Sequence, residues 1–133
     1  MRLRAGGLVY AYIPGRPVLR GITLELRSGE TAFLLGPNGS GKTTFLDCIG
    51  GLRPPAEGEV LLDDRPLGSF SARERAQQVG YVPQFHEPPF NFTAWEVVLM
   101  GRAPYVRWLS QPKERDRRAA DEAARFCVYF RQI

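Results

Sequence analysis

Cysteine and histidine are scarce in this chain of 133 residues, which contains two cysteines and one histidine. Cys48 and Cys127 lie far apart in the sequence, lack the short spacing of metal ligands, and fall in apolar helical patterns. We therefore expect two buried thiols in a reducing compartment. His86 lies in a proline-rich turn with no second ligand nearby, so we assign it no chemistry.

Long apolar runs are also missing. No run approaches the length of about 18 residues that a membrane-spanning helix needs. The N-terminal residues 1–6 lack the apolar stretch of a secretory signal. These absences predict a cytosolic protein without a transmembrane segment of its own. An apolar content of 44% is enough for the core of one domain.

Lysine is rare, because only Lys42 and Lys113 accompany the arginines that give the net charge of +4. No stripe of basic residues alternates with aromatic residues, so a nucleic-acid partner is not indicated. The charged run Lys113–Arg118 mixes both signs. It is typical of a solvated helix face, and a partner surface is the alternative interpretation.

Residues 36–44, Gly-Pro-Asn-Gly-Ser-Gly-Lys-Thr-Thr, fit the phosphate-loop pattern G-x-x-x-x-G-K-[ST]. The three glycines allow a tight turn in which successive N–H groups face an anion, and the following helix adds the positive end of its dipole. We expect Lys42 to contact the β- and γ-phosphates of a nucleotide and the Thr43 hydroxyl to bind Mg²⁺. The predicted nucleotide-binding residues of this loop are Gly36, Pro37, Asn38, Gly39, Ser40, Gly41, Lys42, Thr43 and Thr44.

The flanks of the loop have the strand–loop–helix order that the pattern requires. Glu30–Leu35 is a short apolar run of strand type, and Thr43–Ile49 continues as an amphipathic helix ended by two glycines. Alternation and turn residues predict further strands. These are Leu3–Tyr12, Val18–Leu26, Glu59–Asp63 and Val79–Pro83, with a turn at 13–15 between the first two.

Two capping boxes predict the starts of short helices. Ser71–Glu74 opens a helix that runs to about Gln78, and Thr93–Glu96 opens one that runs to about Met100. A last helix is expected from about Pro112, with Ser110 as a possible cap. Its predicted apolar side carries Ala120, Ala123, Ala124, Cys127 and Phe130.

The order of further motifs makes the whole chain resemble the N-terminal part of the ATP-binding subunit of an ABC transporter. Tyr12 precedes the strand Val18–Leu24 where this family places an aromatic residue that stacks on adenine. The segment Tyr81–Gln84 matches the Q-loop, and Gly58–Leu67 matches the β-hairpin arm beside the catalytic core. The resemblance implies an α/β fold, a P-loop NTPase core of the ABC ATPase type with an antiparallel β arm in residues 1–91. Residues 92–133 would begin the helical subdomain.

The resemblance also implies roles for residues and partners. Tyr12 would be the adenine platform, although Tyr10 lies on the same strand face and is the alternative. Gln84 would reach the metal and the attacking water and report on the membrane partner. The implied cofactors are ATP and Mg²⁺. The implied partners are a transmembrane permease subunit, a second ATP-binding subunit and, indirectly, a solute-binding protein, which places the chain peripherally at the cytoplasmic face of the cell membrane.

A narrower resemblance lies in Phe92–Tyr105, which looks like importers of iron–siderophore, haem or cobalamin complexes. Similar segments occur in importers of molybdate and related oxyanions, and an ordinary amphipathic helix followed by a loop is the plain alternative. In the family this region faces the coupling helix of the membrane subunit. The aromatic residues expected to suit that contact are Phe90, Phe92, Tyr105 and Trp108.

The sequence departs from the family where the signature motif L-S-G-G-Q, the catalytic glutamate and the switch histidine would follow, since none of them occurs. The resemblance therefore implies that the C-terminal part of the fold is missing. We expect a truncated chain that binds nucleotide without turnover, and Glu30–Leu35 should lack a neighbouring strand on one side. The alternative is a stand-alone P-loop nucleotide-binding or regulatory protein that has no transport role. If Asp63 and Asp64, which follow a hydrophobic strand, bound Mg²⁺, the chain could also be a small self-sufficient NTPase. A hairpin tip is the favoured interpretation of these two acids.

Overall fold

The computed structural model describes residues 1–84, 91–107 and 109–130, with the backbone alone at 128–130. It forms two compact units, a first unit of Met1–Tyr81 and a second unit of Val82–Ile133. The predicted subdomain boundary after residue 91 stays a prediction. His86, Phe90, Trp108 and the side chain of Phe130, which the sequence analysis singled out, lie outside the described residues.

A four-stranded antiparallel sheet is the scaffold of the first unit. Its strands are β1 (Arg2–Ile13), β2 (Arg16–Arg27), β3 (Glu57–Leu62) and β4 (Arg65–Pro66), in the order β2-β1-β3-β4. β1 and β2 form a hairpin, and β1 pairs on its other side with β3. The predicted strands Leu3–Tyr12, Val18–Leu26 and Glu59–Asp63 are thus confirmed, the last of them one residue shorter at its end.

One face of this sheet carries the core. Helix α1 (Lys42–Ile49) contributes Phe45 and Cys48 to a buried cluster with side chains from β1, β2, β3 and the 3₁₀ turn Leu67–Ser69. The strand residues in this cluster are Ala5, Leu8, Leu19, Val60 and Leu62. Because the helix is short, its position depends on this apolar packing more than on helix propensity.

Gly58 permits the close approach of β3 to β1. Its φ is +82°, and a Cβ built there would lie 2.4 Å from the carbonyl oxygen of Gly6 and 2.5 Å from that of Gly7. Any side chain at this position would collide with the backbone of the neighbouring strand. The glycine therefore fixes where the arm joins the sheet.

Both predicted capping boxes are present. Ser71 caps helix α2 (Ala72–Gln78) by accepting a hydrogen bond from the N–H of Glu74 at 3.2 Å. Thr93 caps helix α3 (Ala94–Met100) in the same way, with 3.3 Å to the N–H of Glu96. In each case the glutamate side chain accepts a hydrogen bond from the N-cap N–H in return.

The second unit pairs α3 with helix α4 (Glu114–Phe130), with a 3₁₀ turn at Ala103–Tyr105 between them. α4 begins later than predicted, so Ser110 is not its cap. Asp116 accepts the hydrogen bond of the Lys113 N–H instead, at 3.1 Å. Of the side chains predicted for its apolar side, Ala120 is buried and Ala124 is half-buried, whereas Ala123 and Cys127 are exposed. The prediction of a buried Cys127 is wrong, and that of a buried Cys48 is confirmed.

The predicted strands Glu30–Leu35 and Val79–Pro83 do not form. Both segments lack regular secondary structure, and no strand among the described residues pairs with either. Phe33 and Leu35 are 84% and 88% exposed, which shows that the first run lacks a covering layer as well as neighbouring strands. Apolar sequence alone cannot make a strand without a partner for its backbone groups. Along the described ranges, no helix has the length and apolarity to cross a membrane.

Candidate functional site

The phosphate-loop residues 36–41 lead directly into α1, as the sequence predicts. Gly41, the residue before the helix, has a φ of +91°. A Cβ there would come within 3.1 Å of Val18 and 3.2 Å of Leu19 on β2. Glycine is therefore needed twice at this point, for its backbone conformation and for the close packing of the helix start against the sheet. The loop backbone and the N-terminal end of α1 are left facing solvent, where an anion could bind.

The side chain of Lys42 lies within the loop. Its Nζ donates hydrogen bonds to the carbonyl oxygens of Gly36 and Pro37, both at 2.8 Å. The loop thus holds an ammonium group that two neutral acceptors already orient. A phosphate oxygen, being charged, is a stronger acceptor than either carbonyl. The site therefore fits a polyanion that takes over at least part of this hydrogen bonding.

The two threonines after Lys42 differ in environment. Thr43 is exposed, whereas Thr44 is buried and its Oγ1 lies 3.0 Å from the hydroxyl of Tyr12. Of the two hydroxyls, that of Thr43 is the one open to a ligand from solvent. Thr44 instead ties the helix to β1.

A Mg²⁺ ion fits these residues only together with nucleotide phosphates. Across the parts of the chain that the structure describes, no group of three or more His, Cys, Asp or Glu side chains could hold a metal. Mg²⁺ commonly takes one or two protein oxygens and completes its shell with phosphates and water. The Thr43 hydroxyl is a ligand of this kind. Gln84, the other metal ligand that the resemblance implies, is exposed in the second unit.

Tyr12 and Tyr10 form an aromatic pair on β1, with ring centroids 5.0 Å apart and planes at 81°. Tyr10 is half-buried against the core, and Tyr12 is 55% exposed. The guanidinium of Arg53 lies over the Tyr12 ring, 5.3 Å from its centroid. Of the two candidate adenine platforms, Tyr12 is the more exposed residue.

Asp47 is a polar centre that the sequence analysis missed. This α1 residue is buried, its Oδ2 accepts from Arg53 Nε at 2.9 Å, and its Oδ1 accepts from the Tyr81 hydroxyl at 3.0 Å. The hydrogen bond to Asp47 raises the pKa of Arg53, with a further contribution from Tyr10, and it likewise raises the pKa of Tyr81. Burial raises the pKa of the adjacent Cys48 thiol, and the Asp47 charge adds to the effect. The sequence does contain one indication of this site. An acid inside the otherwise apolar segment Phe45–Ile49 of a helix needs a hydrogen-bonding partner if it is buried.

The acids at the end of β3 form the predicted hairpin tip. Asp63 and Asp64 both have positive φ, 47° and 64°, in the turn between β3 and β4. Asp63 accepts a hydrogen bond from the Arg2 N–H at 2.6 Å, and Asp64 forms an ion pair with the Arg2 side chain. The hairpin interpretation is confirmed, and these carboxylates connect the β3–β4 hairpin to Arg2 at the start of β1.

A cavity of about 500 Å³ opens on the second unit. Its apolar lining includes Phe92, Leu99, Met100, Val106, Leu109 and Pro112. Phe92 and Tyr105, two of the aromatic residues expected at a partner contact, are both partly exposed, and Arg102 lies over the Tyr105 ring. This surface combines apolar area with a few charged groups, as partner-binding surfaces commonly do.

Sequence comparison matches residues 19–128 to the family model described as ABC transporter. The chain is 42% identical over 125 residues to the hemin import ATP-binding protein HmuV of Rhodococcus jostii, covering 94% of this chain and 42% of that protein. It is 44% identical over 109 residues to the HmuV protein of Pseudomonas aeruginosa, covering 82% and 41%. The chain thus spans about two fifths of the length of these relatives.

Solved structures agree with the sequence match. A dimeric ATP-binding cassette, MJ0796, in a post-hydrolysis state bound to ADP and Pi superposes with a TM-score of 0.75 at 30% identity, covering 90% of this chain and 54% of that one. An inward-facing transporter assigned to the metal-chelate type gives 0.73 at 27% identity, covering 93% and 43%. The fold is therefore that of a partial ATP-binding cassette, α/β in class, and the chain belongs to the ABC transporter family.

Proposed function

We propose that this chain binds ATP with Mg²⁺ at residues 36–44, as part of the ATP-binding component of an importer. The observation that carries the proposal is the phosphate loop itself, in which Lys42 Nζ is held by the carbonyls of Gly36 and Pro37 at the start of α1. The exposed glycine-rich backbone supplies N–H donors for phosphate oxygens. The Thr43 hydroxyl binds the metal, and Gln84 keeps the role of metal ligand and water-positioning residue that the family resemblance implies.

Tyr12 is the proposed adenine platform. Tyr12 is more exposed than Tyr10, and its hydroxyl contact with Thr44 ties it to the helix that follows the phosphate loop. A base stacked on Tyr12 and phosphates held by Lys42 would then be bound by parts of one packed unit. Such fixed spacing favours a nucleoside triphosphate over free phosphate.

A polypeptide of these 133 residues is proposed to bind nucleotide without meaningful turnover. Phosphoryl transfer at a phosphate loop depends on charge stabilisation and on a residue that orients the attacking water. Groups of these kinds each contribute on the order of 10²–10⁴ in rate. The sequence contains no L-S-G-G-Q motif to close the site of a second subunit. Bound Mg²⁺ would supply charge neutralisation at the β- and γ-phosphates, but neither the metal nor Gln84 replaces the catalytic glutamate and the switch histidine of the family, which the sequence does not contain.

The cargo that we propose for the complete importer is a metal complex of the haem, iron–siderophore or cobalamin class. The segment Phe92–Tyr105 supports this proposal, as does the similarity to the HmuV proteins, which are named for hemin import. The partners are a transmembrane permease and a second ATP-binding subunit at the cytoplasmic face of the membrane, with a solute-binding protein acting through the permease. The partly apolar surface around Phe92 and Tyr105 is the proposed contact for the permease.

Replacement of Lys42 by alanine tests nucleotide binding. We expect the parent chain to bind ATP–Mg²⁺ in isothermal titration calorimetry and Lys42→Ala to weaken that binding by at least about ten-fold, because a charge-assisted contact contributes roughly 1.5–3 kcal/mol. Lys113→Ala, which removes the other lysine, is the matched control and should bind like the parent. Equal affinity of Lys42→Ala and the parent would contradict the proposal.

The genes next to the one that encodes this chain can distinguish an importer subunit from a stand-alone nucleotide-binding protein. Neighbouring reading frames for a multi-span permease and a binding protein are expected if the chain serves an importer. A gene without such neighbours, whose product binds nucleotide equally well, would favour the stand-alone alternative.

A further inference from the structure

Four polar side chains connect β1, α1 and the turn after α1 through direct contacts. Arg53, which follows the turn at the end of α1, donates from Nε to Asp47 at 2.9 Å, and its guanidinium also lies over the ring of Tyr12. Tyr12 in turn contacts Thr44 through its hydroxyl, at 3.0 Å. Since Thr44 and Asp47 are both buried in α1, the ring of Tyr12 is attached twice to the helix that begins at Lys42.

The two attachments constrain different motions of the ring. The hydroxyl contact holds the far end of the Tyr12 side chain, whereas the guanidinium restrains the plane of the ring. Tyr10 adds an edge contact with the Tyr12 ring, with centroids 5.0 Å apart. Even so, more than half of Tyr12 stays accessible, so that a base can still stack on it.

Asp47 determines where the guanidinium lies. Its Oδ2 binds Arg53 while Oδ1 accepts from Tyr81, so both oxygens are engaged and the carboxylate has no freedom to turn away. An arginine held at a fixed point beside an aromatic face gives a stronger and better-defined cation–π contact than a mobile one. The Arg53 side chain itself is 43% exposed, so its position depends on Asp47 more than on burial.

We infer that Arg53 is a positioning residue for the base of the bound nucleotide, acting through Tyr12 and held in place by Asp47. The inference rests on the proposed binding of ATP at residues 36–44 and extends it to a residue outside the phosphate loop. Arg53 touches neither the phosphates nor the metal in this role. It fixes the aromatic platform at a set position relative to α1, so that base and phosphates can bind together.

Affinity for the base can be measured apart from affinity for the phosphates by titrating each variant with ATP and with inorganic tripolyphosphate, both with Mg²⁺. We expect Arg53→Ala to weaken ATP binding about three- to ten-fold, the range expected for the loss of a cation–π neighbour. Tripolyphosphate binding should not change. Arg53→Lys, which keeps a cation able to reach Asp47, should recover most of the ATP affinity. Arg118→Ala removes an exposed arginine from α4 and is the control for loss of charge.

A double-mutant cycle tests whether the effect passes through Tyr12. In a Tyr12→Ala background, Arg53→Ala should cause no further loss of ATP affinity, because the platform that it positions is gone. Asp47→Asn, which keeps the shape of the side chain, should weaken ATP binding as Arg53→Ala does.

The outcomes separate this inference from the function on which it rests. Equal loss of ATP and tripolyphosphate binding in Arg53→Ala, or no loss of either, overturns the role of Arg53 while nucleotide binding stands. Additive losses in the Tyr12→Ala background also overturn it. A parent chain that binds neither ligand overturns the proposed function, and the inference with it.

Discussion

Buried aspartates recur in the two units with similar partners. Asp47 in α1 is bound by Arg53 and the Tyr81 hydroxyl, and Asp116 in α4 is bound by the Lys113 N–H and by Arg102. A buried carboxylate is tolerated only when hydrogen bonds and a counter-charge replace its water. Asp116 contributes to the structure of its own unit, whereas Asp47 lies in the helix that begins at Lys42 and holds Arg53 as well.

Asp116 makes the second unit sensitive to acid. Burial acts to raise the pKa of Asp116, but the Lys113 N–H and the Arg102 guanidinium outweigh it and hold the pKa below its ordinary value of 3.8. A carboxylate whose folded-state pKa is lowered stabilises the fold above its ordinary pKa, and this contribution is lost as the pH falls through the folded-state pKa. The protection factors of the α4 amides, measured against the intrinsic exchange rate at each pH, should therefore fall in acid. Asp116→Asn should lower protection at neutral pH while weakening that acid dependence.

The exposed ion pair of Glu114 and Arg118 on the same helix provides a control for this experiment. Both side chains are largely exposed, so the pair should contribute little at any pH. Glu114→Gln should leave the acid dependence of α4 near that of the parent. If Asp116→Asn and the parent lose protection along the same pH curve, the carboxylate of Asp116 is not the group responsible.

At the scale of single elements, short helices depend on their caps. α3 has seven residues and no buried residue, so few core contacts hold it, and Thr93 with Glu96 closes its first turn. We expect Thr93→Ala to destabilise α3 by about 1 kcal/mol, the usual loss for an N-cap threonine, and Thr93→Ser to restore it. Hydrogen exchange of the α3 amides measures the effect.

The equivalent cap of α2 is the matched comparison, because Ser71 and Glu74 form the same reciprocal pair. Ser71→Ala should raise exchange in α2 and leave α3 unchanged. Uniform acceleration in both helices from either substitution would show that the caps act on global stability and not on their own helices.

The elements that could be predicted from the sequence are those whose signals are local. Both capping boxes, the β1–β2 hairpin and the order of loop and helix at 36–49 follow from neighbouring residues, and all are present. The strand predicted at Glu30–Leu35 did not form because a strand requires hydrogen-bonding partners from elsewhere in the chain. The predicted start of α4, near Pro112, was also wrong, because the side chain that accepts the hydrogen bond at its first turn does not belong to a residue before the helix. Asp116 accepts the Lys113 N–H from within the helix, a cap that a search for a residue before the helix does not find.

Some residues of the candidate site could likewise be identified from the sequence, and others only from the structure. The residues of the phosphate loop were identified from their pattern, because the chemistry of phosphate binding fixes their order and spacing. Asp47 and Arg53 were not identified. An acid in an apolar helix segment indicates a buried partner without naming it, and only the turn after α1 brings Arg53 to Asp47. The contact between Tyr12 and Thr44 joins residues 32 positions apart, which only the three-dimensional structure can show.

At the scale of the whole molecule, the apolar run Glu30–Leu35 before the phosphate loop leaves large side chains exposed to solvent. Phe33 and Leu35 are 84% and 88% exposed, and exposed apolar groups of this size promote association in water. We expect the 133-residue polypeptide to self-associate in size-exclusion chromatography with light scattering, and Phe33→Ser with Leu35→Ser to shift it toward the monomer. Leu109→Ser removes an equally exposed leucine, 94% accessible, from the second unit and should have less effect. A parent chain that is monodisperse and monomeric at high concentration would show that this run is covered in solution.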